Sequence, residues 1–120
     1  MKKILFVDDE KDIVEVVASR LRASNYKVIT AYDGQEALDK THKEKPDLII
    51  LDLMLPKMDG YKVCGLLKTD TRYNKIPIII FTARAQESDM KMGQEVSADD
   101  YITKPFDPEE LLFKIKKFIG

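Results

Sequence analysis

The sequence predicts an α/β fold: a doubly wound parallel sheet of five strands in the order 2-1-3-4-5, with five helices on its two faces. Three observations carry this. The runs ILFV (4–7), LIIL (48–51) and IIIF (78–81) are apolar throughout, as strands are when both faces of a parallel sheet are covered. Between such runs lie segments whose apolar residues recur at helical spacing. The regular alternation of the two, over 120 residues, implies right-handed crossovers and helices on both sides of one sheet.

Taken in order, the first strand is followed by a helix in which Ile13, Val14, Val17 and Leu21 share a face. YKVITAY (26–32) is more mixed in polarity and suits an edge strand. DGQE (33–36) then sets an Asp cap three residues before a Glu, a helix start. The third strand, 48–51, leads into DG at 59–60, which reads as turn chemistry with Gly60 supplying a positive φ. In YKVCGLLK (61–68), Cys64 reads as a small core or boundary residue. After the fourth strand, QESDMKMGQEV (86–96) is the least regular helical pattern, with Gly93 inside it at a cost of about 1 kcal/mol against Ala. DYIT (100–103) is a short second edge strand. DPEE (107–110) starts the last helix, with Pro108 at its first position and Leu111, Leu112, Ile115, Phe118 and Ile119 as its apolar face. The three doubly buried strands are the first, third and fourth, and the order 2-1-3-4-5 places them at the centre.

Composition bounds the function. The length predicts a single domain, 1–120, with one core-forming sheet. Charged residues make up 34% of the chain, 20 basic against 21 acidic, for a net charge of -1. Such balance gives no general attraction to nucleic acid or anionic membrane. One cysteine excludes an internal disulfide and fits a reducing cytosol. No stretch has the length of a signal-peptide core or a membrane span, so a cytoplasmic protein is expected. There is no internal repeat or low-complexity tract.

In open parallel sheets, ligands bind beyond the carboxyl ends of the strands where the winding reverses, here between the first and third strands. Asp8 and Asp9 follow the first strand, Asp52 the third, Thr82 the fourth and Lys104 the fifth. Three carboxylates at one mouth repel one another unless a cation joins them. Oxygen ligands favour a hard ion such as Mg2+, which leaves room for a phosphate oxygen. With Lys104 and the Thr82 hydroxyl, the set forms a cradle for a phosphoryl group arriving at an Asp52 oxygen.

The motifs FVDDE, LIILDLMLPKMDG, IIIFTA and ADDYITKPF, in this order and spacing, resemble the receiver domain of two-component response regulators, including chemotaxis regulators, over essentially the whole chain. That family has the flavodoxin-like 2-1-3-4-5 order, so order and resemblance are not independent. The resemblance implies that Asp52 is the phosphoacceptor, Asp9 a direct magnesium ligand, Asp8 a ligand mainly through water, and the Met54 carbonyl the remaining protein contribution, with Mn2+ able to replace Mg2+. It implies that Lys104 pairs with Asp52 at rest and with the phosphate afterwards, while Thr82 and the Ala83 amide hold phosphoryl oxygens. It further implies a cis bond between Lys104 and Pro105, and Tyr101 as an aromatic switch that turns inward with Thr82. From the sequence itself, Tyr101 reads equally as a half-buried edge aromatic. Met54 and Arg84 lie where the family tunes water access to the acyl phosphate.

The implied function is signal relay: a phosphoryl group passes from a sensor histidine kinase or phosphotransfer protein to Asp52, and the conformation shifts toward a downstream protein target or an effector domain outside this sequence. Such a domain is not an enzyme with an external substrate, although it catalyses its own phosphorylation and dephosphorylation. The alternative is a receiver fold used as a phosphorylation-independent binding module, which usually lacks an acid, the Thr or the Lys; all are present here. A haloacid-dehalogenase-type phosphatase places a second Asp where this chain has Met54. A flavin carrier of the same topology needs a phosphate-cradling first loop, and DDEKD (8–12) repels phosphate. His42 reads as solvated, and Lys114, Lys116 and Lys117 as partners of a helix C-terminus before any nucleic acid. Direct nucleic acid or membrane binding is not expected. Ser97 stands where the family often has Gly, and Met90 and Gln94 where dimerising members carry a basic and an apolar residue. The expected state is therefore a monomer, or a weak dimer through the 4-5-5 face formed by the fourth and fifth helical patterns with the fifth strand. Glu110, Asp100 and Lys114 suit cross-subunit pairs there, each of small value when exposed.

Overall fold

The strands form where the apolar runs lie: β1 Lys3–Val7, β2 Lys27–Ala31, β3 Leu48–Asp52, β4 Ile78–Thr82 and β5 Asp100–Thr103. They make one parallel sheet in the order β2-β1-β3-β4-β5 in this computed structural model, which describes residues 1–82 and 98–120, with Thr82 by its backbone alone. The expected helix over 86–96 lies outside the described residues. Four helices are described: α1 Lys11–Ala23, α2 Gly34–Glu44, α3 Gly60–Lys68 and α4 Pro108–Ile119.

Side chains alternate across each strand, and the alternation divides the core in two. Ile4, Phe6, Leu48, Ile50, Ile79, Phe81 and Ile102 face Val14, Val17, Ala18 and Leu21 of α1 and Leu111 and Ile115 of α4. Leu5, Val7, Ile49, Leu51, Ile78 and Ile80 face Ala37 of α2 and Val63, Cys64 and Leu67 of α3. The central strands serve both layers, which is why their sequences carry no polar alternation; every residue of β3 is buried. Cys64 is a core residue, and burial pushes its thiol up to about 11.

Helix starts follow local chemistry. Asp33 caps α2 by accepting from the Glu36 N–H at 2.7 Å, and the Glu36 carboxylate accepts from the Tyr32 N–H at 2.6 Å. Asp107 caps α4 through the Glu109 N–H, with Pro108 at the first position. DG at 59–60 departs from the sequence reading. Asp59 is the cap of α3, accepting from Lys62 N–H at 2.9 Å, and Gly60 is the first helical residue without a positive φ. The left-handed residue of this loop is Lys57, at φ 67°. Gly60 is required by space: a Cβ there would stand 2.2 Å from the Asp52 carbonyl oxygen.

Asp100, a candidate for cross-subunit pairing, is engaged within the chain by Lys114 at 2.9 Å and Lys117 at 4.0 Å. No described helix is long and apolar enough to cross a membrane.

Candidate functional site

The parallel register delivers the polar residues to one edge. Val7 pairs with Leu51 and Asp52 with Phe81, so Asp8 and Asp52 leave neighbouring strands side by side. Lys104 follows β5 directly. Its Nζ lies 3.0 Å from Asp52 Oδ2 and 2.6 Å from Asp8 Oδ2, so one ammonium bridges carboxylates from two strands. The Lys104–Pro105 bond is cis. Asp8 is fully buried, and Asp52 is 4% exposed.

Backbone amides hold the remaining oxygens. Met54 N–H donates to Asp52 Oδ1 at 3.1 Å, and Glu10 N–H donates to Asp8 Oδ1 at 2.9 Å. Asp8 Oδ2 has the lysine at ion-pair distance, but among the described residues no well-aligned hydrogen bond reaches it. Burial pushes the Asp52 carboxyl above the usual carboxylate value, helped by the charge of Asp8 and opposed by Lys104 and the Met54 N–H. For Lys104, burial works downward, but its close contacts with the Asp8 and Asp52 carboxylates and their charges outweigh it and hold the ammonium above the ordinary lysine value. Phe81 closes one side, its ring centroid 5.1 Å from Lys104 Nζ, and stacks edge-on with Phe106.

Carboxylate oxygens of Asp8, Asp9 and Glu10 lie within 4.8 Å of one another. The donors are oxygens alone, and Asp8 also carries the buried Oδ2 that only the Lys104 ammonium approaches among the described residues. This fits a hard divalent cation. Glu10 was not among the site residues read from sequence, although DDE (8–10) contains it. It occupies the cap position of α1 without bonding the helix through its side chain.

Thr82 ends β4 opposite Thr103; its side chain, Ala83 and Arg84 lie outside the described residues. Met54 is 66% exposed. Tyr101 is half-buried against the α2–α3 side of the core, opposite Ile80 in register. Its carbonyl accepts from Lys114 Nζ at 2.6 Å. Burial raises its phenol above the ordinary value.

A family model described as the response regulator receiver domain matches residues 4–116. The chain belongs to this family. The receiver domain is 50% identical over 118 residues to the alkaline phosphatase synthesis transcriptional regulatory protein PhoP of Bacillus subtilis (strain 168), covering 98% of this chain and 48% of that protein. The chain spans just under half the length of the curated relatives it matches. Among solved structures, the chemotaxis protein CheY4 of Vibrio cholerae superposes with a TM-score of 0.93 at 34% identity, covering 99% of both chains. The receiver domain of the sensor histidine kinase PA1611 from Pseudomonas aeruginosa PAO1, solved with a magnesium ion coordinated in its active site cleft, gives 0.92 at 30% identity over 99% of this chain and 98% of that one.

Proposed function

We propose that this receiver domain accepts a phosphoryl group on Asp52 from a phosphohistidine of a sensor histidine kinase or phosphotransfer protein, and that the modified state signals to a downstream protein or an effector domain. The observation that carries the reading is the Lys104 bridge between the buried Asp8 and Asp52 at the carboxyl edge of the sheet.

In the transfer, an Asp52 oxygen attacks phosphorus, an O–P bond forms, and the P–N bond to the donor imidazole breaks, its electron pair returning to the ring. Met54 N–H fixes one Asp52 oxygen, so the carboxylate meets the donor in one orientation. Lys104 trades its contact with Asp52 for a phosphoryl oxygen and balances charge as the group arrives. The Thr82 hydroxyl and Ala83 amide take the remaining phosphoryl oxygens. Asp8, Asp9, Asp52 and the Met54 carbonyl would hold Mg2+, or Mn2+ in its place, which when bound supplies positive charge against the transferring group. Return to the resting state is attack of water on phosphorus, releasing phosphate and restoring the carboxylate. Phosphate contacts to Thr82 and Lys104 shift the population of conformations that includes the position of Tyr101.

The test is intact mass after incubation with Mg2+ and phosphoramidate, for wild type and Asp52→Asn. One added phosphoryl group, lost with a chelator and absent from the variant, is expected. An adduct of equal yield in Asp52→Asn overturns the assignment.

A further inference from the structure

The 53–59 loop between β3 and α3 carries Met54, whose amide fixes Asp52. Its near end is pinned where Gly60 packs on the Asp52 carbonyl and donates to Leu53 O at 3.0 Å. Its tip rests on a different element, the junction between β2 and α2. Gly34 N–H approaches Pro56 O at 3.4 Å, and a Cβ at Gly34 would stand 2.1 Å from Met58 O and 2.7 Å from Met58 Cβ. Lys57 holds a left-handed backbone, and its ammonium lies 3.4 Å from Asp33 Oδ2. Asp33 is itself fixed as the α2 cap.

The same junction reaches the other side of the mouth. Asp8 N–H donates to Ala31 O at 3.1 Å, at the end of β2. Residues 31–34 thus contact both carboxylate-bearing segments: the strand end with Asp8 and the loop that follows Asp52. None of these residues is near enough in sequence to Asp52 for a motif to record the contact.

We infer that the β2–α2 junction is a positioning element that sets the spacing between the Asp8–Asp9 pair and the Asp52–Met54 segment, with Gly34 as its seat and the Asp33–Lys57 pair as its latch. The inference rests on the phosphoacceptor reading, since that reading makes this spacing matter for cation binding. Gly34 serves by bringing two backbones close, not through its φ, so even a methyl group must displace the loop. The latch is more adaptable, because the Lys57 side chain is 70% exposed and its pairing is weakened by salt.

The experiment is calorimetric titration of Mg2+ into the unphosphorylated chain, alongside urea unfolding, for wild type, Gly34→Ala, Lys57→Asn and Lys57→Arg. Asn tolerates the left-handed backbone. Gly34→Ala is expected to weaken Mg2+ by about tenfold, the range of changes to groups that orient metal ligands. Lys57→Asn is expected to weaken it about twofold to threefold at low ionic strength, with the difference lost in about 1 M NaCl, where screening acts within roughly 3 Å. Lys57→Arg should restore wild-type affinity. A Gly34→Ala protein that loses stability but binds Mg2+ as wild type does overturns the inference. If that variant does not fold, Lys57→Asn decides: unchanged affinity at low salt overturns it, and a salt-sensitive loss rescued by Arg supports it. A folded wild type that binds no Mg2+ overturns the reading of the site itself, a result distinct from variants that match a binding wild type.

Discussion

Lys104 stands between two buried carboxylates, with 13% of its own side chain exposed. A buried pair that loses one partner leaves an uncompensated charge, which costs about 3–5 kcal/mol. Lys104→Met is therefore expected to lose about that much stability, measured by urea unfolding without divalent cation, and to recover part of it when Mg2+ is added. Unchanged stability would mean that Asp8 and Asp52 do not depend on the lysine. That Asp8, Asp52 and Lys104 meet was legible because Asp8 and Asp52 directly follow apolar runs that read as buried strands, and Lys104 follows the short edge strand DYIT. Glu10 was not, since an acid before a helix is ordinarily read as a cap.

At the scale of elements, the helix starts do two kinds of work. Asp33 is held below the usual carboxylate range, first by the Glu36 N–H and with further help from Lys57, against an opposing effect of burial. A carboxyl whose folded value is depressed stabilises fully above its unfolded value and loses that contribution as pH falls through the folded value. Asp33→Ala is thus expected to cost about 1 kcal/mol at neutral pH, the gap narrowing below the ordinary carboxylate range in urea unfolding followed against pH. A gap that widens in acid would contradict the cap. At α3, Gly60→Ala must push a methyl against the Asp52 carbonyl, and an expected loss of about 1–3 kcal/mol from overpacking can be read from the same measurement. Strands and most helix starts could be read from period and caps because both are local. The role of Gly60 was misread because its cause is a contact across the chain: the left-handed backbone sits at Lys57, where no glycine signals it.

At the scale of the molecule, one sheet serves two cores. Ile50 faces the α1–α4 layer and its neighbour Leu51 the α2–α3 layer, both fully buried. Truncating either to Ala is expected to cost about 2–5 kcal/mol, and circular dichroism and tyrosine fluorescence should report coincident urea transitions. Separate transitions would mean that the layers do not depend on each other through the sheet. The central place of the three uninterrupted apolar runs was legible, and the order 2-1-3-4-5 agreed with it together with the receiver resemblance, the two not being independent. The seating of the 53–59 loop on the β2–α2 junction was not, since it joins segments by backbone approach. The most direct test of the account is borohydride reduction of the phosphoramidate-treated protein, followed by peptide mapping. Reduction converts an aspartyl phosphate to homoserine, and the account predicts homoserine at position 52 alone. Homoserine at Asp8, Asp9 or elsewhere, with Asp52 intact in a protein that has gained a phosphoryl group, would contradict it.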